Sequence, residues 1–179
     1  MLIQSNRVVM RAAESSDAEF VAALLNADES VPAYGPHFPV SVGEVQKKMA
    51  DSRSYSLVSE RTDGGGAVGF LRFRLSWGDS VMNVEDVVFA AKVRGAGYGR
   101  ESLGALVEFF FGRWGGRRVE LQLRADNMRA RRTYEALGFV VEGRRRDVVP
   151  PAWGPAADRD YLMMGLLGQV GGVVDHQDR

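Results

Sequence analysis

Residues 94–99 read "RGAGYG" and lie between the apolar run "VEDVVFAA" (84–91) and the helix-like run "ESLGALVEFFF" (101–111). Glycines alternate at 95, 97 and 99, a backbone stripped of side chains just ahead of a helix. Helix N-termini carry unpaired N–H groups and the positive end of the dipole, so such a turn can wrap a phosphate. Arg94 and Arg100 bracket it with positive charge. The plainer reading, a tight strand-to-helix connection whose glycines only supply positive φ, stands beside it. Spacing excludes two other nucleotide motifs. A dinucleotide fingerprint needs glycine where Arg100 stands, and a phosphate loop ending in Gly-Lys-Ser/Thr fails at Gly99, Arg100 and Glu101.

Outward from the turn, period and punctuation predict the elements. "RVVMRAA" (7–13) reads as a strand. "SDAEFVAALLN" (16–26) reads as a helix capped by Ser16 and Glu19, with Phe20, Ala23, Leu24 and Ala27 on one face. Ser41 and Glu44 repeat the capping spacing before a short helix ending near Met49. "SYSLVSE" (54–60), the turn "DGGG" (63–66) and "AVGFLRFRLSW" (67–77) predict an antiparallel hairpin, and "VMNVEDVVFA" (81–90) the next strand. Leu103, Leu106, Val107, Phe110, Phe111 and Trp114 recur at helical spacing until Gly115 and Gly116. Then come a strand (118–124), a helix (127–137), a strand beginning in 138–143 and a last strand (161–167). This order predicts an α/β (α+β mixed) domain over residues 1–167, a mixed sheet with helices on both faces. The tail 168–179 is expected to be loose.

Composition narrows the function. In 179 residues, Lys plus Arg and Asp plus Glu each number 23, so no overall field draws the molecule onto nucleic acid or a membrane, and any anion site is local. The absence of cysteine removes disulfides, thiolate metal sites and a cysteine nucleophile. No apolar run reaches the ~18 residues of a membrane span, and the first residues lack the pattern of a secretory signal. A cytoplasmic location is the default expectation. His37 and His176 are isolated, so no metal is expected.

"RGAGYG" fits the RxxGxG acyl-CoA pyrophosphate signature of the GNAT N-acetyltransferase superfamily, and "NMRARRTYEALGF" (127–139) resembles its second signature, NxxAxxxYxxxGF. Together the two are far more specific than either alone. In element order the resemblance covers residues 7–167. Within the superfamily the chain is similar to the branch that acetylates ribosomal-protein N-termini, on "FVVEGRRRD" (139–147) and "DRDYLMMGLL" (158–167).

The resemblance implies a GNAT fold, which makes the mixed sheet mostly antiparallel, with a splayed strand pair that binds acetyl-CoA as co-substrate. The pantetheine arm would meet the backbone at Val88 and Phe89, where one N–H can also polarise the thioester carbonyl. The pyrophosphate would lie on the amides of Arg94, Gly95, Ala96, Gly97, Tyr98, Gly99 and Arg100. Asn127, Ala130 and Tyr134 form one helical stripe. The resemblance makes Tyr134 the acid that protonates the leaving thiolate and Asn127 the holder of the pantetheine arm. Small Ala130 lets the ligand lie close. Read singly, Asn127 is also a good helix N-cap, Tyr134 a good core aromatic, and Gly138 with Phe139 a Schellman turn.

An amine with pKa ~8 to ~10.4 must lose a proton before attack, so a base is expected. Glu85 is the first candidate and Asp86 the second, since alternation sends only one to the cleft. Parity groups Glu85 with Val87 and Phe89, and a bulge would spoil that count. Arg129, Arg131, Arg132 and "RRRD" (144–147) read as solvated faces, although one arginine could reach the CoA 3′-phosphate. Tyr34, His37, Phe38 and Trp153, in the Pro-rich stretches 31–40 and 148–160, are candidates for the acceptor side, with Asp158 as a partner for a cationic amine. The expected partner is a small-molecule or peptide amine. The reading leaves a homodimer open, and leaves a silent GNAT-fold acyl-CoA binder as the alternative to the enzyme.

Overall fold

The computed structural model describes residues 1–27, 39–78, 80–148 and 159–168. Tyr34, His37, Phe38, Trp153, Asp158 and the tail from residue 169 lie outside them. The described strands are β1 (Leu2–Gln4), β2 (Val8–Ala12), β3 (Ser54–Arg61), β4 (Ala67–Ser76), β5 (Val81–Phe89), β6 (Arg118–Arg124), β7 (Val140–Arg145) and β8 (Tyr161–Leu167). The helices are α1 (Ala18–Asn26), α2 (Val42–Met49), α3 (Tyr98–Trp114) and α4 (Met128–Glu135). The strands form one sheet in the order β1-β2-β3-β4-β5-β6-β8-β7. Among the described residues β5 and β6 are the one parallel pair, and every other pairing is antiparallel.

Alternation along the central strands divides the core in two. Leu57, Leu71, Phe73, Met82 and Val84 face α3 and α4, meeting Leu103, Leu106 and Phe110. Val58, Phe70 and Val88 face α1 and α2, meeting Val21, Leu25 and Val45. Helices therefore cover both faces, as the order of elements predicts. Burial of each such side chain stabilises by about 1.5–3 kcal/mol. The far end of α3 is anchored by Trp114, which lies edge-on to Phe109 at 5.0 Å and to Trp77 at 5.6 Å between ring centroids. Gly115, at φ 65°, ends the helix there.

Three local expectations are corrected. The box before α1 is made by Glu14 and Asp17 on a 3₁₀ turn, Ser15–Asp17, rather than by Ser16 and Glu19. The buried face of α1 is Ala18, Val21, Ala22, Leu24 and Leu25. Leu24 is buried as expected and Phe20 packs against the same cluster, while Val21 and Leu25 complete the face in place of the exposed Ala23 and Ala27. Finally, α3 begins at Tyr98, which puts Gly99 and Arg100 inside the helix instead of in the turn. The Ser41 and Glu44 box is present, with the Glu44 N–H donating to Ser41 Oγ at 3.2 Å.

Candidate active site

The parallel pair β5 and β6 runs together only from Val81 to Val84 against Arg118 to Leu121. Beyond that the strands part. Among the described residues the edge of β5 from Asp86 to Phe89 that faces β6 pairs with no strand, and a cleft of about 690 Å³ opens between the two. Glu85, Val87, Val88 and Phe89 line one side, and Gln122, Leu123 and Arg124 the other. The turn after β5 and the stripe Asn127, Ala130 and Tyr134 of the α4 segment close its ends.

The glycine turn offers amides of a particular set. Gly95 and Gly97 adopt φ of 80° and 87°, the left-handed region that favours glycine. The N–H of Arg94 donates to Ala91 O at 3.2 Å and that of Ala96 to Val93 O at 3.3 Å, so neither is available. The amides of Gly97, Tyr98, Gly99 and Arg100 meet no acceptor among the described residues, and the first helical bond runs from Glu101 N to Gly97 O at 2.9 Å. These four are the orphan donors of the α3 N-terminus. Of the amides expected from Arg94 onward, those of Arg94 and Ala96 are committed within the turn, while the Gly95 N–H also meets no acceptor among the described residues. Gly99 serves close approach, since a Cβ there would stand 3.2 Å from the Phe89 ring. Arg94 turns its side chain back, Nε donating to Phe89 O at 3.0 Å.

The lining is strongly cationic. Arg94, Arg100, Arg124, Arg129 and Arg132 line it, with Glu85 the one carboxylate among the described lining residues. Such a surface attracts an anion.

Residues 7–140 match the family model described as an acetyltransferase (GNAT) domain. The chain belongs to the GNAT acetyltransferase family. Its fold is similar to that of a GNAT-family acetyltransferase from Bacillus anthracis (TM-score 0.77, 18% identity, 94% of this chain and 99% of that one). It is also similar to spermidine N-acetyltransferase from Vibrio cholerae in complex with CoA and spermine (TM-score 0.75, 20% identity, 90% and 95%). A third likeness is to ribosomal-protein-S5-alanine acetyltransferase from Vibrio fischeri (TM-score 0.73, 13% identity, 95% and 98%). No curated protein matches the chain.

Within this GNAT domain the acidic pair is separated by a bulge. Arg72 pairs with Asp86 and Phe73 with Val84, which leaves Glu85 as the extra residue. Glu85 lines the cleft; Asp86 does not, and is 2% exposed. Arg72 Nη1 lies 2.8 Å from Glu85 Oε2 and Arg74 Nε 2.7 Å from Oε1, so both carboxylate oxygens are fixed. Arg72 Nε donates to Asp86 Oδ2 at 2.6 Å.

On α4, Asn127 is an N-cap, its Oδ1 accepting from the Ala130 N–H at 3.1 Å. Asn127 also lines the cleft. Tyr134 is 8% exposed, packs on Phe139 at 6.0 Å and still lines the cleft, so the core-aromatic and cleft readings hold together. Gly138, at φ 93°, and the bond from Phe139 N to Tyr134 O complete the Schellman turn. Arg129 and Arg132 are exposed, as expected of a solvated face, and also line the cleft, while Arg131 pairs with Glu135 at 2.8 Å.

Sequence reasoning missed Asn83, Gln122, Arg124, Thr133 and Tyr161, all of which line the cleft. Tyr161 stands opposite Arg124 in the β6–β8 register. Burial pushes its hydroxyl up, against the pull of Arg124 and Arg145. The available signal was the polar alternation Glu120, Gln122, Arg124 on a strand bordering the splay. Among the described residues no cluster of three or more His, Cys, Asp or Glu could hold a metal, and no helix is long and apolar enough to cross a membrane.

Proposed function

We propose that this chain is an acetyl-CoA-dependent N-acetyltransferase that acts on a primary amine, a small molecule or a protein N-terminus, by direct attack in a ternary complex. Support comes from one juxtaposition: the four orphan amides at the start of α3, the unpaired edge of β5, Glu85 and Tyr134 all border the same cleft. The fold likeness to acetyltransferases whose acceptors are a polyamine and a ribosomal protein is consistent with an amine acceptor.

Acetyl-CoA supplies an activated acyl group on sulfur. Gly97 to Arg100 hold its pyrophosphate, with the cleft arginines balancing the charge. The unpaired edge of β5 beside Val88 and Phe89 orders the pantetheine arm and places an N–H at the developing oxyanion. Asn127 and Ala130 bound the arm from α4. Glu85, directly or through water, takes a proton from the ammonium, and the neutral amine then attacks the thioester carbonyl. As the new C–N bond forms and the C–S bond breaks, the Tyr134 hydroxyl gives its proton to the departing thiolate, and the second proton lost by the nitrogen restores the phenol, directly or through water. Holding both reactants in one cleft contributes a large part of the acceleration, since effective molarities reach ~10⁵ M or more. Tyr34, His37, Phe38 and Trp153 are proposed for the acceptor side.

Free CoA thiol released on incubation with acetyl-CoA and a broad amine panel tests the reading. Amine-dependent release supports it. CoA binding without release from any amine makes the chain a silent acyl-CoA binder, and no CoA binding overturns both.

A further inference from the structure

We infer that Arg7 and Glu101 form a clasp on the far side of the glycine turn that aims the Gly97 amide into the cleft, which makes Arg7 a positioning residue for the CoA pyrophosphate. The inference rests on the proposed acetyl-CoA reading. Arg7 stands just before β2 and is distant in sequence from the turn, yet each of its three guanidinium nitrogens has a partner there. Its backbone N–H donates to Glu101 Oε1 at 2.7 Å and its Nε to Glu101 Oε2 at 2.7 Å. Nη2 lies 2.7 Å from the same Oε2. Nη1 donates to the carbonyl of Ala96 at 3.0 Å, and the guanidinium stacks 4.7 Å from the centre of the Tyr98 ring. Ser5 Oγ adds a further bond to Glu101 Oε1 at 2.7 Å. Arg7 itself does not line the cleft.

The bond to Ala96 matters because of peptide geometry. In a planar trans peptide the C=O and the following N–H point in opposite directions. Holding Ala96 O on Arg7 therefore turns the Gly97 N–H away from Arg7, toward the cleft that Gly97 lines. Gly97 is at φ 87° and Gly95 at 80°, and glycine crosses between positive and negative φ with little penalty. Without a hold on its carbonyl, the Ala96–Gly97 peptide could rotate and lose its donor. Glu101 sets the hold. It sits in the first turn of α3, where a carboxylate also complements the dipole, and it fixes the guanidinium that reaches Ala96.

The test is titration of CoA by calorimetry into the parent, Arg7→Ala, Arg7→Lys and Glu101→Gln, with the glycine amides followed by ¹⁵N NMR. Arg7→Ala should raise the Kd for CoA about tenfold, the equivalent of ~1.4 kcal/mol. Arg7→Lys, which keeps the charge without the forked donors, should do nearly as much. Glu101→Gln, which loosens Arg7 without deleting it, should raise Kd less, and serves if Arg7→Ala does not fold. The Gly97 amide signal should move or broaden in each variant while those of Gly112, late in α3, and Gly115, just past its end, stay in place. Full CoA affinity in the folded variants would overturn the clasp. Restoration by Arg7→Lys would also overturn it, because charge alone would then explain the effect. If the parent does not bind CoA, the proposed function fails, a result separate from failure of the clasp in a parent that does bind.

Discussion

Arg72 Nε lies 2.6 Å from Asp86 Oδ2, and the two residues are 9% and 2% exposed. The same guanidinium reaches Glu85 across the bulge. One arginine thus joins a carboxylate that faces the cleft to one that does not. The two acids should separate by assay. Glu85→Gln should reshape the pH dependence of kcat/KM, because it removes the group that takes the amine's proton. Asp86→Ala should instead lower stability, by about 1.5–3 kcal/mol for a lost charge-assisted hydrogen bond, since Arg72 keeps Glu85. The two measurements are pH–rate profiles and urea denaturation. A reversed pattern would make Asp86 the base.

Much of this division was legible in the sequence, and the reason it was incomplete is physical. Alternation grouped Glu85 with Val87 and Phe89, and all three line the cleft. A bulge is a matter of register between β4 and β5, which periodicity along one strand does not carry. The elements around the glycine turn followed from their punctuation, down to the stop at Gly115. The α1 stripe did not, because its run is apolar on too many sides for spacing to choose. Arg124 and Tyr161 escaped notice because they meet through pairing of β6 with β8, distant in sequence. Asn127 and Tyr134 were readable through motif spacing, while their double duty as cap and core aromatic required the fold.

Gly97→Val should weaken CoA binding in a protein that still folds. At φ 87° a β-branched residue is strained, and its Cβ would stand 3.3 Å from Arg7 Nη2. Calorimetric Kd for CoA and circular dichroism check this together. Unchanged affinity in the folded variant would return the glycines to a purely connective role.

Acid should loosen the Arg7–Glu101 contact. Burial pushes the Glu101 carboxyl up, but the Ser5 hydroxyl, the Arg7 amide and the Arg7 guanidinium outweigh it and hold the group below its ordinary 4.5. A carboxylate depressed in the folded state stabilises above its unfolded pKa, and that contribution is lost as pH falls through the folded value. Glu101→Gln should therefore be less stable than the parent at pH 7, with the gap narrowing below about pH 4.5. Urea denaturation at pH 7 and pH 3 measures it. A gap independent of pH would mean that the ionised form adds nothing.

Tyr134→Phe isolates the last proton. The ring is 8% exposed and packs on Phe139, so phenylalanine keeps the apolar contacts and the melting temperature should change little. CoA affinity should stay near the parent's, because the pyrophosphate donors at Gly97 to Arg100 are untouched. Only the hydroxyl is removed, and with it the proton for the departing thiolate. Positioned proton transfer is typically worth ~10²- to 10⁴-fold, so kcat should fall within that range while Kd for acetyl-CoA holds. Because the lost function is delivery of a proton to a thiolate, the deficit should shrink with a donor whose leaving thiol is more acidic, such as an aryl thioester. Full activity in Tyr134→Phe, or an equal deficit with both kinds of donor, would leave Tyr134 as a core aromatic and move the acid elsewhere.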